Sequence, residues 1–182
     1  MIFVPTAIDG VVIVELEPRG DDRGFFARSF CTRTFEDEGL TPVTAQTNVS
    51  FNRVAGTLRG FHYQHAPAAE AKLVRCTRGR VFDVALDVRT DSPTYLQHVA
   101  TFLDAEERRA LYLPEGFAHG FLTLEDDTEL TYQVSAEYAP HAEDGVRWDD
   151  PAISIPWPIE VRVISDKDAA WPLLGHGRSG AS

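Results

Sequence analysis

The sequence predicts an all-β fold, an antiparallel sandwich or jelly roll closed around a cavity, with a few short helices. Short runs rich in Val, Leu, Phe, Tyr and Thr recur along the chain at roughly ten-residue spacing. Gly, Pro, Asp and Ser separate these runs and indicate turns. Because no internal repeat or linker interrupts them, we expect one domain over residues 1–182, with a loosely ordered tail from about residue 173 to 182.

The elements can be justified in chain order. Two segments predict short helices, "TRTFEDEGL" (32–40) and "DAEERRAL" (104–111). The runs that predict strands are "GVVIVELEP" (10–18), "TLRGFHYQ" (57–64), "KLVRCTRGRVFDVALDVR" (72–89), "HVATFL" (98–103), "ALYLPEGFAHGFLTLE" (110–125) and "ELTYQVSAEY" (129–138). Within 81–89 the residues alternate with a period of two, so that Phe82, Val84, Leu86 and Val88 share one face and Asp83, Ala85 and Asp87 the other.

Composition and charge restrict the class of protein. The chain has 182 residues, 43% apolar and 25% charged, which is ordinary for a globular domain that buries a core. Its 28 acidic and 17 basic residues give a formal charge of −11, so the surface should repel nucleic acid. An anionic small substrate would need a local cluster of arginine and lysine.

The N-terminus and the cysteines indicate a cytoplasmic protein. The first residues lack a basic region and carry a proline and an aspartate within their apolar run, and no stretch approaches the roughly 18 apolar residues of a membrane-spanning helix. We expect no membrane association. Cys31 and Cys76 lie far apart without zinc-like spacing, which favours reduced, buried thiols.

Polar residues inside strand runs are the candidates for lining the cavity, because a strand that faces a dry core has little use for them. They are His62, Lys72, Arg75, His119 and Tyr132. The period of two places Lys72 on the same face as Val74 and Cys76. Facing inward, this lysine would need an anionic or carbonyl partner; alternatively, it lies at the mouth of the strand with its ammonium in solvent.

Arg59 and His62 are three residues apart, so a regular strand would direct them to opposite faces. Gly60 lies between them, and a glycine within a strand often marks a bulge. A bulge here would bring both side chains to one surface. Without one, Arg59 faces water.

Two partial motifs stand about fifty residues apart, Pro114-x-Gly116-x-x-His119 and the set Gly56, His62, Glu70 and Gly79. The first matches the second signature of the cupin family and the other partly matches its first signature, a resemblance that implies a cupin-type jelly roll (double-stranded β-helix). Metal-binding cupins place two histidines two residues apart, whereas here Gln64 stands two after His62 and His65 has the wrong parity. This spacing argues against a metal site. The alternative is that His62, Glu70 and His119 bind iron or zinc as three ligands, with the other coordination positions of the metal open.

A wider set of motifs resembles the dTDP-4-dehydrorhamnose 3,5-epimerases. They are "DDRGFFARSF" (21–30), "QTNVSFNRVAGTLRGFHYQ" (46–64), "AKLVRCTRGRVFDVALDVRTDSPTY" (71–95), "LYLPEGFAHGFL" (111–122), "ELTYQVSAEYAPHAEDGVRWDDP" (129–151) and "ISDKD" (164–168). The resemblance covers residues from about 3 to 172. It implies a metal-free jelly roll, usually a homodimer, that acts on a dTDP-4-keto-6-deoxyhexose without a cofactor. The absence of a Gly-rich dinucleotide loop agrees with this.

The resemblance also implies the roles of four residues. His62 would be the base and Asp168 the carboxylate that orients its imidazole. Lys72 would stabilise the oxygen on carbon 4, and Tyr132 would be the acid on the opposite face of the sugar. A free imidazole titrates at about pH 6.5 and a phenol at about pH 10, which suits a base and an acid at working pH.

For substrate binding, the resemblance implies that Arg23 and Arg59 hold the diphosphate and that Tyr138 stacks on thymine. Surface positions are the alternative for Tyr138 and Lys167. Further contacts are implied for Gln46, Asn48, His119, Glu143 and Lys167.

The chain departs from the family pattern at two positions. Arg28 stands where the family usually has Glu, at a substrate-contacting position, and Phe61 stands where Leu is commoner. These departures leave open an enzyme that epimerises only carbon 3 or carbon 5, as in antibiotic deoxysugar pathways. A metal-dependent cupin enzyme and a non-catalytic sugar-binding cupin are the alternatives from other classes.

Overall fold

The computed structural model describes residues 1–174. Two short helices occur in this part of the chain, α1 (Thr32–Asp37) and α2 (Asp166–Ala169). The strands are β1 (Ile2–Pro5), β2 (Val12–Glu15), β3 (Arg19–Asp21), β4 (Gly24–Phe26), β5 (Gln46–Asn52), β6 (Leu58–Gln64), β7 (Lys72–Arg78), β8 (Arg80–Asp87), β9 (His98–Asp104), β10 (Ala110–Leu113), β11 (Phe117–Thr123), β12 (Thr128–Val134) and β13 (Glu143–Gly145).

Two antiparallel sheets form the fold. One has six strands in the order β1-β2-β10-β7-β12-β5, and the other has five in the order β13-β6-β11-β8-β9. The chain passes from one sheet to the other between β5 and β6, β6 and β7, and β7 and β8, and again at each step from β9 to β12. The predicted all-β jelly roll is therefore confirmed. A separate hairpin of β3 and β4 lies outside both sheets.

Three apolar layers account for the packing. The central layer lies between the sheets and contains Val74 and Cys76 of β7, Ala85 of β8 and Phe117 of β11. The outer face of the six-stranded sheet is covered by α1, whose Phe35 is fully buried. Residues 146–157 cover the outer face of the five-stranded sheet with Val146, Ile153 and Trp157. The central strands β8 and β11 of this sheet are thus buried on both faces.

One predicted helix is absent. Residues 104–111 form the end of β9, a turn and the start of β10, so the prediction of a helix there was wrong. The Asp104 carboxylate accepts hydrogen bonds from the backbone N–H groups of Glu106 and Glu107 and holds a turn, and Arg108 has a φ of 57°. An aspartate that bonds the backbone ahead of it competes with the helix. The helix predicted at 32–40 is present as the shorter α1.

Three further expectations concern the ends of the chain, membranes and cysteines. The tail predicted to be loosely ordered lies outside the described residues apart from Leu173 and Leu174, and the Leu174 N–H donates to Asp150 at 2.6 Å. In residues 1–174, no helix is long and apolar enough to cross a membrane. Cys31 is half-buried and Cys76 buried, and both are free thiols.

Candidate active site

A bulge in β6 sets the geometry of the site. His62 pairs with His119 of β11, but the next paired residues are Arg59 and Phe121, so β6 contains one extra residue. Gly60 within the bulge has a φ of +121°, and a Cβ there would lie 2.5 Å from the Cα of Gly120. Glycine is required at this position because any side chain would meet backbone. Of the two alternatives that the sequence left open, the bulge is present and brings Arg59 and His62 to the wall of one cavity, while Arg59 also remains exposed to solvent.

His62 forms an imidazole–carboxylate pair with Asp168. The His62 Nε2 atom lies 2.7 Å from Asp168 Oδ1, and the backbone N–H of Gly60 donates to Oδ2 at 3.1 Å. Asp168 stands on α2, where its own N–H donates to the hydroxyl of Ser165, the residue that caps the helix. Burial opposes ionisation of Asp168, but the contact with His62 and the Gly60 N–H outweigh it and hold the pKa of the carboxyl below its usual value.

Lys72 lies on the facing sheet, at the start of β7. As the period of two predicted, its side chain points inward, and it is buried with only 7% of the residue exposed. It has both kinds of partner that the sequence called for: its Nζ lies 3.0 Å from Glu70 Oε1 and donates to the backbone carbonyl of His62 at 3.4 Å. The alternative of a lysine with its ammonium in solvent is wrong.

Tyr132 of β12 lies on the same sheet as Lys72 and packs against the central apolar layer. Burial raises the pKa of its phenol; the charge of Arg59 lowers this pKa and that of Glu70 raises it. A phenol in this environment remains protonated at neutral pH. The ring therefore presents a proton donor to the space between the sheets.

Two neighbouring cavities share His62, Lys72 and Tyr132 in their walls. The first, called the outer cavity, has a volume of about 330 Å³ and is also lined by Gln46, Asn48, Glu70, Tyr138 and Glu143. The second, called the inner cavity, has a volume of about 240 Å³ and is also lined by Ser50, Arg59, His119 and Phe121. Together they form a cleft lined mainly by polar side chains, which suits a small polar molecule.

The outer cavity has a fixed rim. The hydroxyl of Tyr138 donates to Glu143 at 2.6 Å, and Lys167 pairs with the same carboxylate at 2.7 Å. Burial opposes ionisation of Glu143, but Lys167 and Tyr138 outweigh it and hold the pKa of the carboxyl below its usual value. Gln46 accepts the Tyr138 backbone N–H at 2.7 Å. Tyr138 and Lys167, whose side chains remain more than half exposed, are therefore part of the rim.

Gln64, the residue two positions after His62, helps to hold this rim. Its Nε2 donates to the carbonyls of Ala68 and Glu137, and its Oε1 accepts the N–H of Ala139. The amide thus fixes the segment that carries Tyr138. In this structure the Gln64 side chain holds the backbone of this segment and does not serve as a second metal ligand.

The inner cavity contains a second imidazole–carboxylate pair. His119 Nε2 lies 3.0 and 3.1 Å from the two oxygens of Asp83, which is completely buried. Arg59 is held by its Nε, which donates to Asn52 Oδ1 at 2.8 Å. An imidazole and a guanidinium thus face the same small space.

Two candidates lie away from the cleft. Arg23, at the turn between β3 and β4, is exposed and paired with Asp21. Arg28 lines a separate cavity of about 440 Å³ with Met1, Glu17, Phe26 and Thr34. The single chain brings the other eleven predicted site residues together and leaves these two apart.

The alternative metal site is not assembled. Among residues 1–174, no group of three or more His, Cys, Asp or Glu side chains has an arrangement that could hold a metal ion. His62 and His119 are each committed to a separate carboxylate, and Glu70 to Lys72. His62, Glu70 and His119 therefore do not converge on a common point.

Sequence reasoning missed the parts played by Asp83, Glu70 and Gln64. Asp83 had a signal, since the period of two places it beside Ala85 on the interior face of a strand, where a carboxylate needs a partner. Glu70 was considered only as a metal ligand. Gln64 was noted only as the residue that replaces a second histidine.

Comparison with known proteins supplies a family for this geometry. The family model described as dTDP-4-dehydrorhamnose 3,5-epimerase matches residues 5–176. The chain is 47% identical over 176 residues to the enzyme of that name from Salmonella typhimurium, with 96% of each chain covered. It is 40% identical over 175 residues to a dTDP-4-dehydrorhamnose 3-epimerase from Streptomyces niveus, covering 96% of this chain and 84% of that protein. The structure of a dTDP-6-deoxy-D-glucose-3,5-epimerase from Legionella pneumophila, in complex with dTDP-4-keto-L-rhamnose, superimposes with a TM-score of 0.89 at 40% identity, covering 96% and 93% of the two chains.

Proposed function

As this chain belongs to the dTDP-4-dehydrorhamnose 3,5-epimerase family, it is a carbohydrate epimerase, and we propose that it inverts carbon 3, carbon 5 or both of a dTDP-4-keto-6-deoxyhexose through an enolate. The observation that carries this proposal is the cleft in which the His62–Asp168 pair faces Tyr132 and Lys72 from the opposite sheet. Carbons 3 and 5 flank the ketone at carbon 4, so loss of either proton yields an enolate. Return of a proton to the opposite face inverts the centre.

In this proposal His62 removes the proton. The Asp168 carboxylate fixes the imidazole in one tautomer and stabilises the imidazolium that forms. Because the carboxyl has a pKa below its usual value, it is ionised at neutral pH and carries the negative charge that this role needs. General base catalysis of this kind contributes typically about 10²- to 10⁴-fold in rate.

Lys72 stabilises the oxygen of carbon 4. When the proton leaves carbon 3 or carbon 5, negative charge develops on this oxygen, and a fixed ammonium nearby lowers the barrier. Such a cation acts more strongly in a buried site than in water, because it is not screened and need not reorganise. Lys72 is buried and held by two partners, which suits this role.

Tyr132 returns the proton. It lies on the sheet that faces His62, so an enolate between them would be deprotonated from one side and protonated from the other. Burial raises the pKa of the phenol, which supports a proton donor rather than a base at working pH. The phenolate then recovers its proton from solvent or from the imidazolium.

The remaining cleft residues bind substrate. Tyr138 offers an exposed ring at the rim for stacking on thymine, and Arg59 offers a fixed cation for the diphosphate. The Arg59 cation attracts the diphosphate against the overall negative charge of the chain. Gln46, Asn48, His119, Glu143 and Lys167 supply further polar contacts.

A homodimer would give Arg23 and Arg28 a place in this scheme. The β3–β4 hairpin exposes the rings of Phe25 and Phe26, at 47% and 72%, and carries Arg23 at its turn. Apolar rings this exposed favour contact with another surface. We infer that the hairpin packs against a second copy, where its arginine can reach a bound diphosphate. A cytoplasmic location remains a prediction, which the two free cysteines favour.

A 3-only or 5-only epimerase is the second candidate. The relative from Streptomyces niveus carries the name of a 3-epimerase. Arg28, where the family pattern has Glu, is the position in this chain that favours an altered substrate or regiochemistry. Either specificity would use the same base, acid and ammonium.

The roles of the two proton carriers can be separated in deuterium oxide. His62→Ala should abolish both deuterium uptake and inversion, because no enolate forms. Tyr132→Phe should still take up deuterium with retained configuration, because His62 can return a deuteron to the face from which it came. We expect inverted product to fall by roughly 10²- to 10⁴-fold in Tyr132→Phe.

Matched controls are His141→Ala and Tyr95→Phe, which change the same residue types outside the cleft. Both should behave as the unmodified protein does. Undiminished inversion in Tyr132→Phe, or normal deuterium uptake in His62→Ala, would contradict the proposed roles.

A further inference from the structure

We propose that Glu70 is a positioning residue that keeps Lys72 charged and fixed at the ketone oxygen, an inference that rests on the function proposed above. Glu70 is two residues before Lys72 and lines the outer cavity with it. Its Oε1 lies 3.0 Å from Lys72 Nζ, and the two side chains are only 12% and 8% exposed. The pair is therefore largely shielded from solvent.

Shielding makes the charge of Lys72 depend on its partners. Burial disfavours an ammonium, and an opposite charge within hydrogen-bonding distance favours it. The second partner, the His62 carbonyl at 3.4 Å, is a dipole without net charge. Glu70 thus supplies the only full negative charge that an ion pair places on Lys72 among the described residues.

Among residues 1–174, no other ionisable side chain of the cleft wall offers Lys72 a free carboxylate. Those that share a cavity wall with Lys72, from β6, β11, β12, β13 and the 138 segment, are Arg59, His62, Tyr63, His119, Tyr132, Tyr138 and Glu143. Glu143, the other carboxylate in this wall, is occupied by Lys167 and Tyr138. Loss of the charge on Glu70 would not be compensated from these side chains.

Glu70→Gln tests the charge while keeping the shape. The amide retains an oxygen that can accept from Lys72 Nζ, but the buried ammonium loses its counter-charge and releases its proton more readily. We expect the rate of substrate deuterium uptake near neutral pH to remain within about threefold of the parent, because the amide still holds Lys72 Nζ by a hydrogen bond. In a plot of this rate against pH, the decline on the alkaline side should begin at least about one pH unit lower than in the parent. At a fixed pH within this decline, the rate of Glu70→Gln should be about tenfold lower than that of the parent.

Tyr132 must be removed from this measurement, because its phenol also titrates in alkali and Glu70 contributes to raising its pKa. The comparison is therefore made in a Tyr132→Phe background, and deuterium uptake is measured rather than inversion. Uptake requires the base and the ammonium but not the acid. The decline on the alkaline side then reports on Lys72.

Glu36→Gln, on the exposed face of α1, is the control for a change of one charge at the surface and should leave the profile in place. Superimposable profiles for the parent and Glu70→Gln would overturn the inference, whereas absence of deuterium uptake in the unmodified protein would overturn the proposed function instead. Titration of ¹³Cε-labelled lysines by NMR, with Lys72→Arg to assign the signal, measures the same shift without turnover. An unshifted Lys72 signal in Glu70→Gln would also overturn it.

Discussion

Replacement of Asp168 by asparagine isolates the electrostatic part of the His62–Asp168 pair. The two side chains have nearly the same shape, and the carboxamide can still accept the Gly60 N–H that now lies 3.1 Å from Oδ2. What is lost is the negative charge 2.7 Å from His62 Nε2. The imidazolium that forms when His62 removes the substrate proton would then have no anionic partner in this position.

The size of the loss follows from the geometry. A hydrogen bond to a charged group contributes about 1.5–3 kcal/mol. Two opposite charges 4 Å apart attract each other by about 4 kcal/mol at the effective dielectric constant found near a protein surface. His62 is about one-third open to solvent, which reduces the upper figure. With each 1.36 kcal/mol worth tenfold in rate, we expect kcat to fall by about 10²-fold. Because Asp168 does not contact the substrate in this account, KM should change by less than about threefold.

The assay is steady-state turnover of dTDP-4-keto-6-deoxyglucose, with Asp166→Asn as the control. Asp166 lies on the same short helix but is exposed, so this variant should retain full activity. Circular dichroism should show that both variants are folded. Full turnover in Asp168→Asn, or a loss confined to KM, would refute the view that Asp168 supports the base.

Four other outcomes are expected. Activity should survive EDTA treatment, because a base, an acid and an ammonium suffice for the reaction; loss that iron or zinc restores would contradict this. Arg28→Glu should change KM for the dTDP-sugar more than kcat, and a large fall in kcat alone would show that Arg28 acts elsewhere. Gly60→Ala should lower the free energy of unfolding, measured by denaturant titration, by about 1–3 kcal/mol or more. The loss should exceed that of Gly24→Ala, because Gly24 has a similar φ but no atom within 4 Å of an added Cβ. The pKa of Asp168 is lower in the folded protein than in the unfolded chain, so its charge should stabilise the fold above about pH 4, and this stabilisation should be lost as the pH falls further. The difference in free energy of unfolding between the parent and Asp168→Asn should therefore become smaller in acid.

The interior of the fold was predictable because its strands alternate. The period of two placed Lys72 with Val74 and Cys76 on the inner face, and the structure agrees. The glycine within "TLRGFHYQ" predicted the bulge that joins Arg59 and His62. These features depend only on the backbone and on neighbouring residues, so a single strand contains enough information to reveal them.

Strand β5 was not recognised, for a reason that concerns function. Its apolar residues Val49 and Phe51 are exposed, while Ser50 and Asn52 are buried. The usual pattern is reversed because the inner face of this edge strand lines a polar cleft rather than a dry core. A search of the sequence for strands with buried apolar residues therefore does not identify β5.

Asp168 could not be placed from local pattern either. It lies 106 residues from His62 and reaches it through the irregular segment that follows β13. Hydrophobic periodicity does not predict which strand such a segment contacts. Only the resemblance to a family assigned Asp168 to the site, and the same is true of Arg23 and Arg28, which a single chain leaves outside the cleft.

The most direct test of the account is incubation of the unmodified protein with dTDP-4-keto-6-deoxyglucose in deuterium oxide, followed by NMR of the sugar. The account predicts that deuterium appears at carbon 3, carbon 5 or both, and that each inverted carbon carries deuterium, because inversion passes through an enolate. The carbons that exchange would also define the regiochemistry. Inversion without deuterium at the inverted carbon, or no exchange at either carbon, would contradict it.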